Sequence, residues 1–146
     1  MVSDRKAAIV GIHEYPLRVA KGVSAMEIKV SSIRAALEDA GLAWSDVDAL
    51  YDAGDGEAAG GLQLSAYLGL NPSVIDTTSV GGSSFEFHAA HALRDIAAGK
   101  CRVAVLSYGA TSASRRLAIG TADRSGSVPN WRANMERPYG STLIAN

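Results

Sequence analysis

Gly81, Gly82, Ser83 and Ser84 stand in a row directly before a helix-like run, "FEFHAAHALRDIAAG". That order of residue types supports three kinds of chemistry. A serine hydroxyl displayed on a tight turn becomes a nucleophile when a base stands beside it. Adjacent glycines let backbone N–H groups approach a carbonyl oxygen or a phosphate closely. Or Ser83 simply starts the helix: Ser83 and Glu86 have the spacing of a capping box, in which each side chain bonds the other residue's backbone N–H. The capping reading accounts for both residues without chemistry and is preferred. For the glycines, ligand approach and tight-turn packing stand level. Ser84 has no supporting motif of its own.

Other reactive side chains are sparse. His88 and His91 lie three apart and so share one side of a helix. They lack a third ligand and a carboxylate partner in motif, so structural histidines are expected. His13 follows an apolar run, where a loop residue can line a pocket. Tyr108 closes another such run and points into a site or packs beneath it. Tyr139, in "RPYG", is a phenol able to exchange protons if its environment tunes it. The single cysteine, Cys101, can form no internal disulfide, and there is no Cys/His cluster for zinc. The first apolar run ends in "VGIHEYP", without G-x-G-x-x-G, and no Walker motif occurs.

The elements that must position these groups follow from periodicity. "KAAIVGI", residues 6–12, reads as a strand buried on both faces. Residues 24–42 read as a helix, with Ser24 and Glu27 in capping-box spacing, Gly41 as its stop, and Met26, Val30, Ile33, Leu37 and Ala40 as its apolar stripe. Strands are expected at 47–53, 73–80 and 101–110. A short helix over 62–70 and a long one over 83–98 separate them, the latter burying Phe85, Ala89, Ala92, Leu93 and Ile96. The order is βαβαβαβ, an α/β fold with a mostly parallel sheet and helices on both faces. Sites in such sheets form beyond the carboxyl ends of the strands. The Val80–Ser84 turn lies at one of them.

Bulk properties fit one ordinary globular domain. The chain has 146 residues, 47% hydrophobic and 20% charged, with a formal net charge of −1. That balance favours neither nucleic acid nor membrane surface. No apolar stretch is long enough to span a bilayer, and the N-terminus lacks the marks of a secretory signal, so a cytoplasmic setting is expected. Residues 1–110 form the patterned body. After Gly109 the periodicity stops, and residues 111–146 are expected to begin a loop or insertion region. Five arginines there, 115, 116, 124, 132 and 137, have the chemistry to meet phosphates, with scattered surface arginines as the default.

Taken together, "VDALYDA", "LGLNPSVIDTTSVGGSS" and "HALRDIAAGKCRVAVLSYGA" resemble the amino-terminal half-domain of the thiolase superfamily. The resemblance implies a three-layer α/β half-domain. It places Ser83 where thiolases carry their nucleophilic cysteine; no cysteine occurs in residues 77–99. Ser83 thus becomes the catalytic candidate, with Gly81, Gly82, Ser84, His13 and Tyr108 as substrate-binding candidates. Without the cysteine, the chain is more similar to the lipid-transfer and sterol-carrier-protein-type branch, which includes aldolases that shorten steroid side chains. The implied ligand is an acyl-CoA or steroid-CoA thioester, as substrate rather than cofactor; no other cofactor and no metal are expected. The implied partners are a second copy, paired through residues 74–80, and a small OB-fold zinc-ribbon protein.

Two function classes follow. One is an enzyme of lipid or steroid CoA-thioester metabolism that cleaves a C–C bond by retro-aldol chemistry, or transfers an acyl group, without a cysteine nucleophile. The other is a non-catalytic lipid or acyl-CoA binding protein or structural subunit on the same scaffold. Thiolase-like enzymes consist of two similar halves, so this chain is expected to be part of such a machine and inactive alone.

Overall fold

The computed structural model describes residues 6–54, 60–111 and 114. All but Ser114 belong to one compact unit, Met1–Thr111. Its elements are α1 (Ala25–Ala40), a 3-10 turn (Trp44–Asp46), β1 (Ala49–Asp52), α2 (Gly60–Leu68), β2 (Val74–Asp76), α3 (Ser84–Ala97) and β3 (Ala104–Ser107). The three strands form one parallel sheet in the order β2-β1-β3.

Local chemistry fixes α1. The Ser24 hydroxyl accepts the Glu27 N–H at 3.1 Å, and the Glu27 carboxylate accepts the Ser24 N–H at 2.8 Å. Two of the helix's unpaired donors are thereby satisfied. At the other end Gly41, at φ 68°, turns left-handed and donates to the Leu37 and Glu38 carbonyls. A side chain there would be strained.

β1 is the centre of the structure, with all four of its residues buried. Strand side chains alternate between faces, and the two faces have different partners. Leu50 clusters with Ile33 and Leu37 of α1 and Leu64 of α2, together with Val47. Ala49 and Tyr51 cluster with Ala92 of α3 and with Cys101. Helices therefore cover both faces of the sheet. Register aligns the strands' carboxyl ends: Asp52 lies opposite Ser107, and Tyr51 opposite Asp76. The segments that leave those ends carry the candidate site.

Three expectations are corrected. Residues 6–12 form no strand. Ile12 donates its N–H to the Asp39 carboxylate at 3.0 Å, and a Cβ on Gly11 would collide with the Ala36 carbonyl, so the segment lies against α1 and not in the sheet. Ile9, Val10 and Ile12 are consequently exposed. The described order is αβαβαβ, with strands shorter than their apolar runs. Second, α3 turns a different stripe inward: Ser84, His88, Ala92 and Asp95 are buried, whereas Leu93 is exposed. Third, the buried face of α1 is Ile28, Lys29, Ile33 and Leu37, so of the expected stripe Met26, Val30 and Ala40 are only partly buried.

Among the described residues no helix is long and apolar enough to cross a membrane. Apart from Thr111 and Ser114, the region expected to begin a loop or insertion, 111–146, lies outside the described residues, as does Tyr139.

Removing the cap hydroxyl with Ser24→Ala should lower stability by about 1 kcal/mol. Leu50→Ala, which empties the main cluster, should cost about 2–5 kcal/mol. Denaturant titration of the two variants against the parent checks that ranking.

Candidate functional site

The turn between β2 and α3 is built around one hydroxyl. Ser84 Oγ donates to the Gly81 carbonyl at 2.6 Å and accepts the Val80 N–H at 3.0 Å. The Ser84 N–H also donates to the Gly81 carbonyl, at 3.0 Å. Gly81, at φ 83°, supplies the left-handed residue that lets the chain reverse. Ser84 is wholly buried and its hydrogen-bonding capacity is used by the turn itself.

Ser83 is placed differently. It is exposed, and its hydroxyl makes no capping bond to α3. Its backbone, at φ −83° and ψ 3°, lacks the extended conformation seen at Ser24, so the hydroxyl does not swing back over the helix end. The capping-box reading of Ser83 and Glu86 is thus corrected: the next serine secures the helix start from within the turn.

Beside the turn lies a cleft of about 290 Å³. Gly81, Gly82, Ser84 and Phe85 form one wall; Ala53, Ser79 and Tyr108 complete it. Tyr108 meets Phe85 edge-on, with ring centroids 5.1 Å apart. The structure therefore brings together Gly81, Gly82, Ser84 and Tyr108. Ser83 and His13 are not among the lining residues, and His13 is exposed on the segment beside α1.

Gly82 is informative because folding does not demand it. Its φ is not left-handed, and a Cβ built there would meet nothing within 4 Å. Gly82 nevertheless lines the cleft.

Both histidines brace this region. His88 is fully buried, and its Nε2 lies 2.9 Å from the Thr78 carbonyl, which can only accept. Donation from Nε2 leaves Nδ1 with no partner among the described residues. The ring packs between Phe85 and Tyr51, each 6.1 Å away. His91 Nδ1 pairs with the Asp76 carboxylate at 2.5 Å, supplying the carboxylate partner that no sequence motif discloses. Burial works against ionisation of Asp76. Hydrogen bonds from Thr78 and the pairing with His91 outweigh it and hold Asp76 at about 2, against an ordinary value of 3.8.

Deeper down, the Tyr51 hydroxyl donates to Asp95 at 3.0 Å, and Lys100 bonds the other oxygen of that carboxylate at 2.9 Å. The Lys100 bond holds Asp95 low against the opposing effect of burial, with help from Tyr51. Burial, reinforced by Asp95, pushes the Tyr51 phenol well above its usual range. On the opposite face Asp52 binds Lys29 Nζ at 2.8 Å and Ser107 Oγ at 2.5 Å. Neither cluster is marked by a sequence motif. One signal exists for the second: Lys29 lies four residues before Ile33, on the helix's own apolar stripe. No group of three or more His, Cys, Asp or Glu among the described residues is placed to hold a metal ion.

Neither a protein-family model nor a curated protein matches the chain. Among solved structures, the chain is similar to the Ltp2-ChsH2(DUF35) aldolase, with a TM-score of 0.68 and 23% sequence identity over 94% of this chain. That likeness shows a shared fold. The match spans 34% of the neighbour, so this chain covers about a third of its length.

Ser84→Ala removes both hydroxyl bonds from a buried site and should cost about 1–3 kcal/mol, whereas Ser83→Ala should stay within about 0.5 kcal/mol. Equal losses in thermal or denaturant unfolding would contradict the assignment of the turn. The depressed acidity of Asp76 has a definite pH signature. Its contribution to stability is complete above pH 3.8 and is lost as pH falls through about 2. Asp76→Asn should therefore flatten the acid limb of a stability–pH profile between those values.

Proposed function

We propose that the chain is a thiolase-like half-domain of a protein that handles acyl-CoA or steroid-CoA thioesters, with the thioester end seated at the Val80–Ser84 turn. The observation that carries this reading is the turn itself. It places Gly82 beside a cleft at the carboxyl ends of parallel strands, where folding alone leaves that glycine unexplained. Support for the class of chemistry comes from the fold shared with an aldolase and from the sequence resemblance.

The side chains argue against an acyl-enzyme. An effective serine nucleophile needs a base within hydrogen-bonding reach. Ser84 is committed to the turn, and Ser83 lies outside the cleft walls. Retro-aldol cleavage requires no covalent intermediate. A base removes the proton of the β-hydroxyl, the Cα–Cβ bond breaks as the Cβ carbonyl forms, and the electron pair passes to Cα and the thioester oxygen. The resulting enolate is then protonated at Cα. The amino end of α3 carries backbone N–H groups and the positive end of the helix dipole, suited to the developing negative charge on that oxygen.

Tyr108 is the one ionisable side chain on the described wall. The described residues thus provide binding and orientation, and the proton-transfer group comes from elsewhere. This favours, as a second reading, acyl-CoA binding without turnover by the chain alone. The reading includes a homodimer formed along the β2 edge, where Ile75, Val80 and Phe87 are exposed. It also includes a small OB-fold zinc-ribbon partner, no cofactor besides the thioester, and a cytoplasmic setting.

Calorimetry with octanoyl-CoA tests the seat: the parent should bind, and Gly82→Ala should bind at least about tenfold more weakly while unfolding at the same or a higher temperature. Incubation with a 3-hydroxyacyl-CoA, followed by mass spectrometry, should show no acyl group on Ser83. A trapped acyl adduct there, or a Gly82→Ala variant that binds like the parent, defeats the proposal.

A further inference from the structure

Lys29 forms a buried ion pair with Asp52, the residue before Ala53 of the cleft wall, and the members of this cluster come from separate elements. Lys29 belongs to α1, Asp52 ends β1 and Ser107 ends β3. Their exposures are 3%, 0% and 7%. Around the Asp52 carboxylate, Lys29 Nζ and the Gly54 N–H both bond Oδ1 at 2.8 Å, while Ser107 Oγ bonds Oδ2 at 2.5 Å.

Stability is a poor explanation for such a cluster. Removing two charges from water costs about as much as their attraction returns, and a well-packed apolar set of the same volume often holds a core as well or better. A hydrogen-bonded cluster does provide directionality. We propose that Lys29, Asp52 and Ser107 form a positioning cluster that fixes where Tyr108 and Ala53 stand in the cleft; this rests on reading that cleft as the ligand site.

Both wall residues are flanked by anchored neighbours. Ala53 lies between Asp52 and Gly54, which bond each other. Tyr108 lies between Ser107, tied to Asp52, and Gly109, against which the Lys29 stem is pressed. A Cβ on Gly109 would come 2.6 Å from Lys29 Cγ and 2.8 Å from the Ala25 carbonyl. The Tyr108 side of the wall is thus clamped before and after the tyrosine by the same cluster. Tyr108 is 56% exposed and meets Phe85 at 5.1 Å in an edge-on geometry. The backbone on either side of it is what the cluster holds. None of the three side chains lines the cleft, so they act through Tyr108 and Ala53 and not on a ligand directly.

The test uses the full 146-residue chain with 3-fluorotyrosine placed at position 108. Fluorine NMR of this protein should give one narrow resonance. Ser107→Ala, and the paired apolar replacement Lys29→Met with Asp52→Leu, should shift or broaden that resonance and weaken octanoyl-CoA binding by about tenfold; the paired variant should keep its thermal midpoint near the parent's, whereas Ser107→Ala, which leaves a buried carboxylate oxygen short of a donor, should lower it. Ser107→Thr, which keeps the hydroxyl, should retain the parent spectrum. An unchanged resonance and unchanged affinity in Ser107→Ala overturn the proposal, even if the paired variant fails to fold. Should the parent not bind octanoyl-CoA at all, the cleft reading fails by itself, and the fluorine spectra still decide whether the cluster places Tyr108.

Discussion

A carboxylate without access to water ends the central strand, and much of the architecture answers to it. Asp52 cannot be solvated, so its oxygens must be satisfied from within. A lysine from α1, a serine from β3 and a backbone N–H from the next loop converge on it. Those demands join one helix, two strands and a loop at a single point. That point is the carboxyl end of the sheet, where parallel α/β folds place their ligands. The opposite face repeats the theme with different chemistry: Tyr51, one residue earlier, extends under α3 to Asp95, which Lys100 also holds.

The cleft at the sheet's carboxyl end has a wall of mostly backbone, small side chains and two rings. Such a wall is poor in proton carriers, Tyr108 being its one ionisable side chain among the described residues. The serine pair in the nucleophile's expected neighbourhood divides its roles: one hydroxyl holds the turn and the other faces solvent.

Much of this is readable in the residues, for physical reasons. The capping box at Ser24 and Glu27 and the stop at Gly41 form as their spacing implies, whereas the same spacing at Ser83 and Glu86 does not, because the backbone angle at Ser83 is not extended. Three of the strands occur inside the expected apolar runs because β-branched and aromatic residues favour buried pleats. Residues 6–12 show the limit: apolar character signals a strand, but only a neighbouring edge makes one, and here α1 holds the segment instead. The buried face of α3 escapes the sequence for a related reason. Ser84, His88, Ala92 and Asp95 keep helical spacing, but three of the four are polar, so a search for apolar periodicity passes over them. Their partners, a turn carbonyl, the Thr78 carbonyl and the Tyr51 hydroxyl, become visible only once the chain is folded. Lys29 is the same lesson on α1. The Gly81, Gly82, Ser84 and Tyr108 grouping is accessible because turn glycines and strand ends are topological features; Ser83 stands apart because a backbone angle decides where a hydroxyl points.

Cys101 is the chain's one thiol, 2% exposed and packed with Ala49, Tyr51 and Ala92. Burial also pushes its thiol up in pKa, so the reactive thiolate is scarce as well as shielded. A maleimide in solution can label this protein only when the α3 side of the sheet comes apart. The molecule therefore carries its own clock for opening events, one that reads their frequency without any added reporter.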